Sequence, residues 1–324
     1  MEQKAWIIDE KTAKQYLTVE DAIDCVEKTW KWYGEGRVIM PNKITTDMSE
    51  LGVAGWFNSM PAYIGPMDVA GIKVVGGYDG NKALGLPYIK ANVLITDSKT
   101  GILRALISGD HINDLPAVMA RLLAAKTDVV TIIGTGLQGY MSLLCMSKVL
   151  DMKEIRVCDI SEAAMDRFIA RFPDAPFRFV KCKSNEEGCR GSDVIITVTN
   201  ANADLVEEPW VKPGALVMTM GSFRETSFDV VRKADRIAVD QVGQSLHRGN
   251  VKELAEMGEI TADSFDIIVP DVLAGKMPGR TDPNHRIYAQ IIGTGMLDVA
   301  LAGVLLEKLH AAGAQPPVFD MMGE

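Results

Sequence analysis

A glycine-rich turn follows a run of β-branched residues near the middle of the chain. Residues 129–140 read VVTIIGTGLQGY, in which Gly134, Gly136 and Gly139 form a G-x-G-x-x-G pattern. The first glycine permits a tight turn, the second lets a pyrophosphate approach the backbone, and the third lets a helix pack closely on a strand. The helix N-terminus offers N–H groups and a partial positive charge to phosphates. The pattern predicts a dinucleotide site, because it joins a predicted strand to a predicted helix. The expected contacts are Gly134, Thr135, Gly136, Leu137 and Gln138.

An acidic residue ends the next predicted strand. Asp159 comes 25 positions after Gly134, near the separation at which a carboxylate binds the adenosine ribose hydroxyls. A carboxylate there repels a 2′-phosphate, and the following Ile160 and Ser161 supply no arginine to receive one. The sequence therefore favours NAD over NADP. The alternative is that Asp159 only caps the helix that begins near Ser161.

Two more segments end predicted parallel strands. They contain Thr197, Val198 and Thr199 in one case, and Met220, Gly221 and Ser222 in the other. Ligands of open α/β sheets bind beyond the carboxyl ends of the strands, so these residues are candidate contacts for the nicotinamide and its ribose. The alternative is the ordinary polarity of strand ends.

One lysine interrupts an apolar strand that precedes the glycine loop. In GIKVVGGYDGN, Lys73 either extends to solvent, as is usual for a residue that is rarely buried, or points into a cleft. No other catalytic pattern stands out, since the chain contains no G-x-S-x-G. The histidines show no metal-like spacing and are His111, His247, His285 and His310.

Length and composition narrow the class of protein. The 324 residues suffice for two domains. A net charge of -9 argues against nucleic acid as a main partner, because phosphate binding needs clustered Lys and Arg.

The five cysteines form no C-x-x-C pair, so we expect buried or free thiols in a reducing compartment. No signal peptide is visible, and no apolar run approaches the roughly 18–20 residues of a membrane span. We expect a soluble, cytoplasmic protein.

The residues before the glycine loop predict helices around a sheet. Residues 18–35 predict a helix with a capping arrangement of Thr18 and Asp21. Strands of a mostly antiparallel sheet are predicted at 52–64, 69–78, 91–97 and 102–108. A further helix is predicted over residues 115–126.

From Val129 onward, predicted strands alternate with helices. VVTIIG is typical of a strand buried on both faces of a parallel sheet. EIRVCDI, FRFVKC, SDVIITVT, ALVMTMG and RIAVDQ continue the series, which predicts a doubly wound α/β domain. GMLDVALAGVLLEKLHAAG predicts a final helix with a broad apolar face, and the tail AQPPVFDMMGE is expected to be loose.

The chain also resembles the ornithine cyclodeaminase/mu-crystallin family. The motifs SMPAYIG, GIKVVGG, GLPYIKANVLITDSKTG, IIGTGLQG, HRGN and GKMPGR carry the resemblance in order and approximate spacing. It implies an α/β protein with a Rossmann-type NAD-binding domain at 119–292 and an N-terminal α+β substrate-binding and dimerisation domain at 1–118. The C-terminal helix, residues 293–324, is expected to return to the first domain. Members exchange a hydride between nicotinamide and an amino acid α-carbon by way of an imine.

The resemblance implies roles for three residues. Lys73 matches the active-site lysine, which binds the substrate carboxylate or moves protons around the imine. Burial and a second cationic group would favour its neutral form. Lys43, in MPNK, matches an Arg or Lys that holds the carboxylate, here as a point charge without the bidentate fork of Arg. Met60 would line the same pocket.

Two departures from the family pattern bear on function. Phe223 takes the place of an Asp that assists ring closure in cyclodeaminases, which favours plain oxidation or reduction. An Arg-bearing segment expected between Leu115 and Pro116 is missing, either from the protein or from the sequence as given, and Arg121 is a candidate stand-in.

The first interpretation is an NAD-dependent oxidoreductase, an amino acid dehydrogenase or imine reductase that interconverts a small L-amino acid and its imino or keto acid as a homodimer. One alternative is a cyclodeaminase, a lyase that uses NAD catalytically. The other is a mu-crystallin-like protein that binds a small ligand and NAD(P)H without catalysis.

Overall fold

The computed structural model describes residues 4–109 and 115–320, apart from the side chains of Lys82 and Leu115. His111 lies outside the described residues. The chain forms two compact units. The first comprises Met1–Asn113 and Thr294–Glu324, and the second comprises Asp114–Gly293.

Strands and helices alternate along the chain. The strands are β1 (Lys4–Ile8), β2 (Val38–Ile39), β3 (Ile44–Asp47), β4 (Gly55–Ile64), β5 (Val69–Tyr78), β6 (Ile89–Thr96), β7 (Leu103–Ser108), β8 (Val129–Ile133), β9 (Glu154–Cys158), β10 (Arg178–Lys181), β11 (Val194–Thr197), β12 (Leu216–Thr219), β13 (Arg236–Val239), β14 (Ile267–Ile268), β15 (Ile287–Gln290) and β16 (Val318–Asp320). The α-helices are α1 (Glu10–Tyr16), α2 (Val19–Gly34), α3 (Leu115–Leu123), α4 (Leu137–Val149), α5 (Glu162–Ile169), α6 (Asn185–Cys189), α7 (Phe228–Arg232), α8 (Val242–Ser245), α9 (Gly249–Glu256), α10 (Val269–Leu273) and α11 (Gly295–Ala311).

The first unit is a mostly antiparallel sheet with helices on one face. Its strands follow the order β16-β1-β7-β6-β5-β4-β2, and β3 also pairs with β4. Only the β1–β7 pair among the described strands of this sheet is parallel. Helix α11 packs on β4, β5 and β6 and against α2. The predicted capping box is confirmed at the start of α2, where the side chains of Thr18 and Asp21 bond each other's backbone N–H groups.

A buried row of side chains crosses this sheet beneath α11. Its members are successive partners on five neighbouring strands, namely Ile8, Ile107, Val93, Lys73 and Met60. Directly opposed residues point to the same face of a sheet, so Lys73 is the charged member of an apolar row. The row faces α11, because Lys73 contacts Asp298 and Met60 lies against Gly295 of that helix.

The second unit is an all-parallel sheet. Its strand order is β10-β9-β8-β11-β12-β15-β13-β14, and every recorded pair is parallel. The chain order reverses between β8 and β11, which creates the switch point where ligands of open α/β sheets bind. The predicted Rossmann-type α/β fold is therefore confirmed.

The expectation of a loose C-terminal tail is wrong for Val318–Asp320. These residues form β16, which pairs antiparallel with β1, and the Ile7 N–H donates to the Pro317 carbonyl over 2.8 Å. The open edge of β1 supplies unpaired backbone groups, and the tail satisfies them. Strand β16 has only three residues and directly follows two prolines. Its sequence therefore contains no local sign of a strand.

Two expectations from composition can be compared with the structure. The five cysteines are free and buried, which confirms the expected thiols. Within the described ranges, no helix is both long enough and apolar enough to cross a membrane.

Candidate functional site

The glycine loop of the second unit has the geometry of a phosphate cradle. Gly134 has φ +105, and a Cβ there would lie 2.7 Å from the Val198 carbonyl oxygen. A Cβ on Gly139 would collide with the Gly134 carbonyl, whereas a Cβ on Gly136 would meet no atom within 4 Å. The first and third glycines thus allow close packing, and the second leaves open space over the N-terminus of α4. The packing roles predicted for the first and third glycines fit this structure, and the approach of a pyrophosphate to Gly136 stays a prediction.

Asp159 ties this loop to the end of the neighbouring strand. Its carboxylate accepts hydrogen bonds from Thr135 N at 2.9 Å, Thr135 Oγ1 at 2.7 Å and Ser161 N at 3.0 Å. Ser161, rather than Asp159, is the N-cap of α5, because its side chain accepts from Ala164 N. Burial raises the pKa of Asp159, but the hydrogen bonds from Thr135 and from the backbone N–H groups of Ser161 and Ile160 together outweigh it and hold the pKa below its usual value. The carboxylate is only partly buried and so remains accessible to a ribose.

A buried glutamate that the sequence did not single out joins the two candidate nicotinamide segments. Glu225 accepts hydrogen bonds from Thr197 Oγ1 at 3.0 Å, Thr199 N at 2.7 Å, Thr199 Oγ1 at 2.8 Å and Gly221 N at 3.1 Å. Burial raises the pKa of Glu225 although these bonds act in the opposite direction. Met220 N also donates to the Thr197 carbonyl over 3.1 Å. The structure thus brings Thr197–Thr199 and Met220–Ser222 together at the carboxyl ends of β11 and β12.

The HRGN motif, residues 247–250, contacts the segment that follows β12. Gly249 has φ +66, and its N–H donates to the Ser222 carbonyl over 3.2 Å. A Cβ at Gly249 would lie 2.7 Å from Gln290 Oε1, so a larger residue would push this loop away. Gln290 Nε2 in turn donates to the Arg248 carbonyl over 3.0 Å. The motif fixes the backbone of Ser222, a candidate cofactor contact.

In the first unit, Lys73 does not extend to solvent. The residue is 8% exposed, and its Nζ donates to Asp298 Oδ1 over 2.6 Å. Asp298 lies in the first turn of α11, where the helix dipole stabilises a carboxylate. The ion-pair partner of Lys73 is therefore a carboxylate, whereas the resemblance implies a second cationic group beside it. No local pattern identified Asp298, because an acid in the first turn of a helix is ordinary.

Met60 and Lys73 are direct partners on neighbouring strands, and both are buried. Lys43 directly precedes β3, whose first residue, Ile44, pairs with Ser59 of β4. The structure thus brings Met60 and Lys73 together, and the contribution of Lys43 to the same pocket stays a prediction.

The remaining candidates belong to the second unit. Arg121 is exposed near the end of α3. Leu115 and Pro116 are consecutive residues of that helix, and proline fits its first turn because the missing N–H has no partner there. Phe223, which follows Ser222, is 47% exposed.

Comparison with known proteins supports one family. The sequence model of the ornithine cyclodeaminase/mu-crystallin family matches residues 4–313. The alanine dehydrogenase of Archaeoglobus fulgidus is 26% identical over 312 residues, which cover 93% of this chain and 94% of that protein.

Solved structures share the fold. The Δ1-pyrroline-2-carboxylate reductase of Thermococcus litoralis, in complex with NADH and L-proline, has a TM-score of 0.89 at 22% identity and covers 95% of this chain and 98% of its own. An archaeal alanine dehydrogenase dimer with bound NAD has a TM-score of 0.89 at 24% identity, over 98% of this chain and 99% of its own.

Proposed function

The chain belongs to the ornithine cyclodeaminase/mu-crystallin family, and we propose that it is an NAD(H)-dependent oxidoreductase that interconverts a small L-amino acid and its imino or keto acid. The observation that carries the proposal is the burial of Lys73 in an apolar row of the first unit. Even though Lys73 is paired with Asp298, a buried ion pair is often no more stabilising than apolar residues of similar size, so a structural role alone gives little reason to keep a lysine there.

The second unit supplies a site that fits NAD. The N-terminus of α4 and the open backbone at Gly136 receive the pyrophosphate, and Asp159 receives the adenosine ribose. Thr197–Thr199 and Met220–Ser222, held by Glu225, contact the nicotinamide and its ribose. When bound, the cofactor supplies or accepts the hydride. The negative charge of Asp159 favours NAD over NADP.

The first unit supplies the substrate side. Lys43 and Lys73 provide positive charge for the substrate carboxylate, and Met60 provides an apolar wall between them. In the reductive direction the imine carbon gains the hydride and the imine nitrogen gains a proton, which comes from Lys73 or from water. Fixing the carboxylate orients the imine carbon and excludes water, which supplies much of the rate.

The names of similar proteins agree with this chemistry. The Archaeoglobus fulgidus relative is called an alanine dehydrogenase, and the Thermococcus litoralis structure is of an imine carboxylate reductase with NADH and L-proline. A cyclodeaminase is disfavoured, since the exposed aromatic side chain of Phe223 cannot assist attack of a distal amine. Small-ligand binding without turnover is the remaining alternative.

We further propose that the first unit carries substrate binding and dimerisation, and that the enzyme acts as a homodimer in the cytoplasm. Five free thiols suit a reducing compartment. One of the structural neighbours is a dimer with bound NAD.

Absorbance at the NADH wavelength tests the function. Purified protein is mixed with NADH and a panel of α-keto acids plus ammonia or methylamine and of cyclic imine carboxylates, and with NAD and L-amino acids. We expect NADH consumption with at least one monocarboxylate imine. Release of ammonia without net change in NADH would identify a cyclodeaminase. Tight binding of NADH with no turnover across the panel would favour the binding protein.

A further inference from the structure

We propose that Asn58 binds the side chain of the substrate through its carboxamide, so that the site selects amino acids whose side chain ends in a hydroxyl or a carboxamide. This assignment rests on the proposed function and names the substrate class that the function leaves open. Its support comes from three features of the first unit: the place of Asn58 on the sheet, the direction of α11, and buried polar atoms that have no partner.

Asn58 is a polar residue on the buried face of β4. Buried and less buried side chains alternate along this strand, and the next buried ones on the same face are Met60, Ala62 and Ile64. Met60 pairs directly with Lys73. Asn58 is therefore the diagonal neighbour of the lysine on the same sheet face, at about 7–8 Å between the two α-carbons.

The N-terminus of α11 points toward Asn58. A Cβ on Gly295, the first residue of this helix, would lie 2.5 Å from the Met60 carbonyl oxygen. A Cβ on Gly303 would lie 3.0 Å from the side chain of Val69, which pairs with the last residue of β4. The helix therefore runs in the same direction as β4, and its N-terminal end faces back along the strand toward Asn58. The first N–H groups of a helix have no partners within it and attract acceptors.

Two buried side chains at this place keep a polar atom without a partner. Asn58 is 5% exposed, and its Oδ1 accepts a hydrogen bond from Thr45 Oγ1 over 2.5 Å. Within residues 4–109 and 115–320, no group accepts a hydrogen bond from Asn58 Nδ2. Thr294, the N-cap of α11, is 2% exposed, and its Oγ1 also has no partner there. Buried polar groups are almost always hydrogen-bonded, so a ligand that supplies these partners is favoured.

The positions beside Asn58 carry small side chains. Its successive partners across the neighbouring strands are Val75, then Ala91, then Gly109. These residues lie on the same sheet face as Asn58, because direct partners point to the same side of a sheet. The face in front of the α11 N-terminus is thus low, which favours a small substrate beside Lys73.

The nearby charges favour an uncharged side chain. Lys73 Nζ already pairs with Asp298 Oδ1 at 2.6 Å, and in the proposed function it also receives the α-carboxylate of the substrate. A carboxylate on the substrate side chain would add a third negative charge around one ammonium, at a cost in desolvation. Hydroxyl and carboxamide groups both donate and accept hydrogen bonds, so they match the Asn58 carboxamide whichever way it is turned.

A site of this kind discriminates between ligands of the same shape. When a pocket is built to hydrogen-bond a substrate group, an analogue without that group leaves the buried polar atoms of the pocket unpaired. The Asn58 carboxamide should therefore reject an apolar side chain that fits the same space.

The direct test compares ligands in pairs that differ in the side-chain oxygen and have nearly the same shape. The pairs are L-serine with L-2-aminobutyrate and L-asparagine with L-leucine, and L-aspartate is the charged comparison. Calorimetry measures the affinity of the NADH-bound protein for each ligand, and absorbance measures its turnover with NAD. The proteins are the wild type, Asn58→Leu and Asn92→Leu.

Asn92→Leu is the matched control on the same sheet. Asn92 lies on β6 between two buried residues, Ala91 and Val93, and is itself exposed. Its side chain therefore points to the face opposite Asn58. Melting temperatures establish that each variant folds, and Asn58→Ala replaces Asn58→Leu if that protein does not fold.

We expect the wild type to bind L-serine and L-asparagine at least about tenfold more tightly than their apolar counterparts, with the same order in kcat/KM. Asn58→Leu should lose or reverse this ratio, and Asn92→Leu should keep it. Equal affinities within each pair, an unchanged ratio in Asn58→Leu, or no binding of any ligand would overturn the proposal. A preference of the wild type for L-aspartate over L-serine and L-asparagine would overturn it as well.

The two measurements separate this assignment from the proposed function. If the affinity ratios behave as expected but no ligand is turned over, the role of Asn58 in binding stands and the proposed function fails. If amino acids are turned over and the ratios do not depend on Asn58, the proposed function stands and the role of Asn58 fails.

Discussion

At the scale of single residues, Asp159 performs two tasks with one carboxylate. It holds Thr135 of the glycine loop through two hydrogen bonds, and in the proposed function it also receives the ribose of NAD. The first task keeps the carboxylate charged, because the hydrogen bonds lower its pKa against the effect of burial. A charged group at this place repels the 2′-phosphate of NADP whether or not it touches the ribose.

This leads to a prediction about cofactor preference. Asp159→Ser should reduce the preference for NAD(H) over NADP(H) by at least about tenfold, which is about 1.4 kcal/mol, as measured by calorimetry. Asp174→Ser, which removes an exposed carboxylate of the same unit, should leave the preference unchanged. Equal affinities of the wild type for both cofactors would contradict the account.

The pH dependence of that preference has a definite sign. Because the pKa of Asp159 lies below its usual value, its charge is present at neutral pH and is lost only as the pH falls through the lowered pKa. The charge of Asp159 should therefore stay constant from about pH 5 to pH 9, so that any change in the preference, measured by calorimetry across this range, comes from the 2′-phosphate of NADP, which gains negative charge as the pH rises through about 6.

Single residues also mark where the sequence stops being informative. Local sequence patterns identify several site residues, namely Lys73, Asp159 and the three glycines of the loop, because each of them breaks or completes such a pattern. Asp298 and Glu225 do not, since their partners come from distant parts of the chain. Lys73 lies 225 positions from Asp298, and Glu225 bonds Thr197 from 28 positions away. Only the fold brings such partners together.

At the scale of elements, hydrophobic periodicity predicted most of the two sheets. Strand β5 spans Val69–Tyr78, the range that the sequence predicts residue for residue. Strands β8, β9, β11 and β12 follow their apolar runs closely, because strands buried on both faces of a parallel sheet are formed by nearly continuous apolar residues. The long helices α2 and α11 also begin within a few residues of their predicted starts.

The elements that were missed depend on their neighbours. Strand β15, Ile287–Gln290, lies between β12 and β13 although it follows both in the chain, and Ile287 N bonds the Ala215 carbonyl over 3.0 Å. Strand β16 is three residues long and exists by pairing with β1. Short strands have too few residues for hydrophobic periodicity to identify them. Their extended conformation depends on hydrogen bonds to the adjacent strands.

At the scale of the whole molecule, one face of the first sheet suggests how two copies meet. On the face opposite the Lys73 row, five successive partners form an apolar row that is not fully buried: Ile7, Leu106, Leu94, Ile72 and Pro61. Contiguous apolar surface of this kind marks an interface more often than isolated exposed residues do. A two-fold dimer would bury the row against its own copy.

The dimer prediction can be tested by one charge on that row. Light scattering at micromolar concentration should give twice the chain mass for the wild type, and Leu94→Glu should shift the protein to the monomer. Arg167→Glu, an exposed change on α5 of the other unit, is the matched control and should remain a dimer. A stable wild-type monomer would count against the proposed assembly.

The proposed reaction requires Lys73 to act on the substrate while a separate unit holds the cofactor. Lys73→Met alone leaves Asp298 unpaired and should lower the melting temperature. The double variant Lys73→Met with Asp298→Asn removes both charges and serves as the folded comparison.

The most direct measurement is NADH-dependent turnover of the best imine carboxylate by the wild type and by these two variants, with NADH affinity measured on the same samples. The account predicts that both variants lose at least about 10²-fold in kcat/KM and bind NADH as the wild type does, because Lys73 and Asp298 belong to the first unit. Near-normal turnover in the double variant would show that the reaction does not need Lys73.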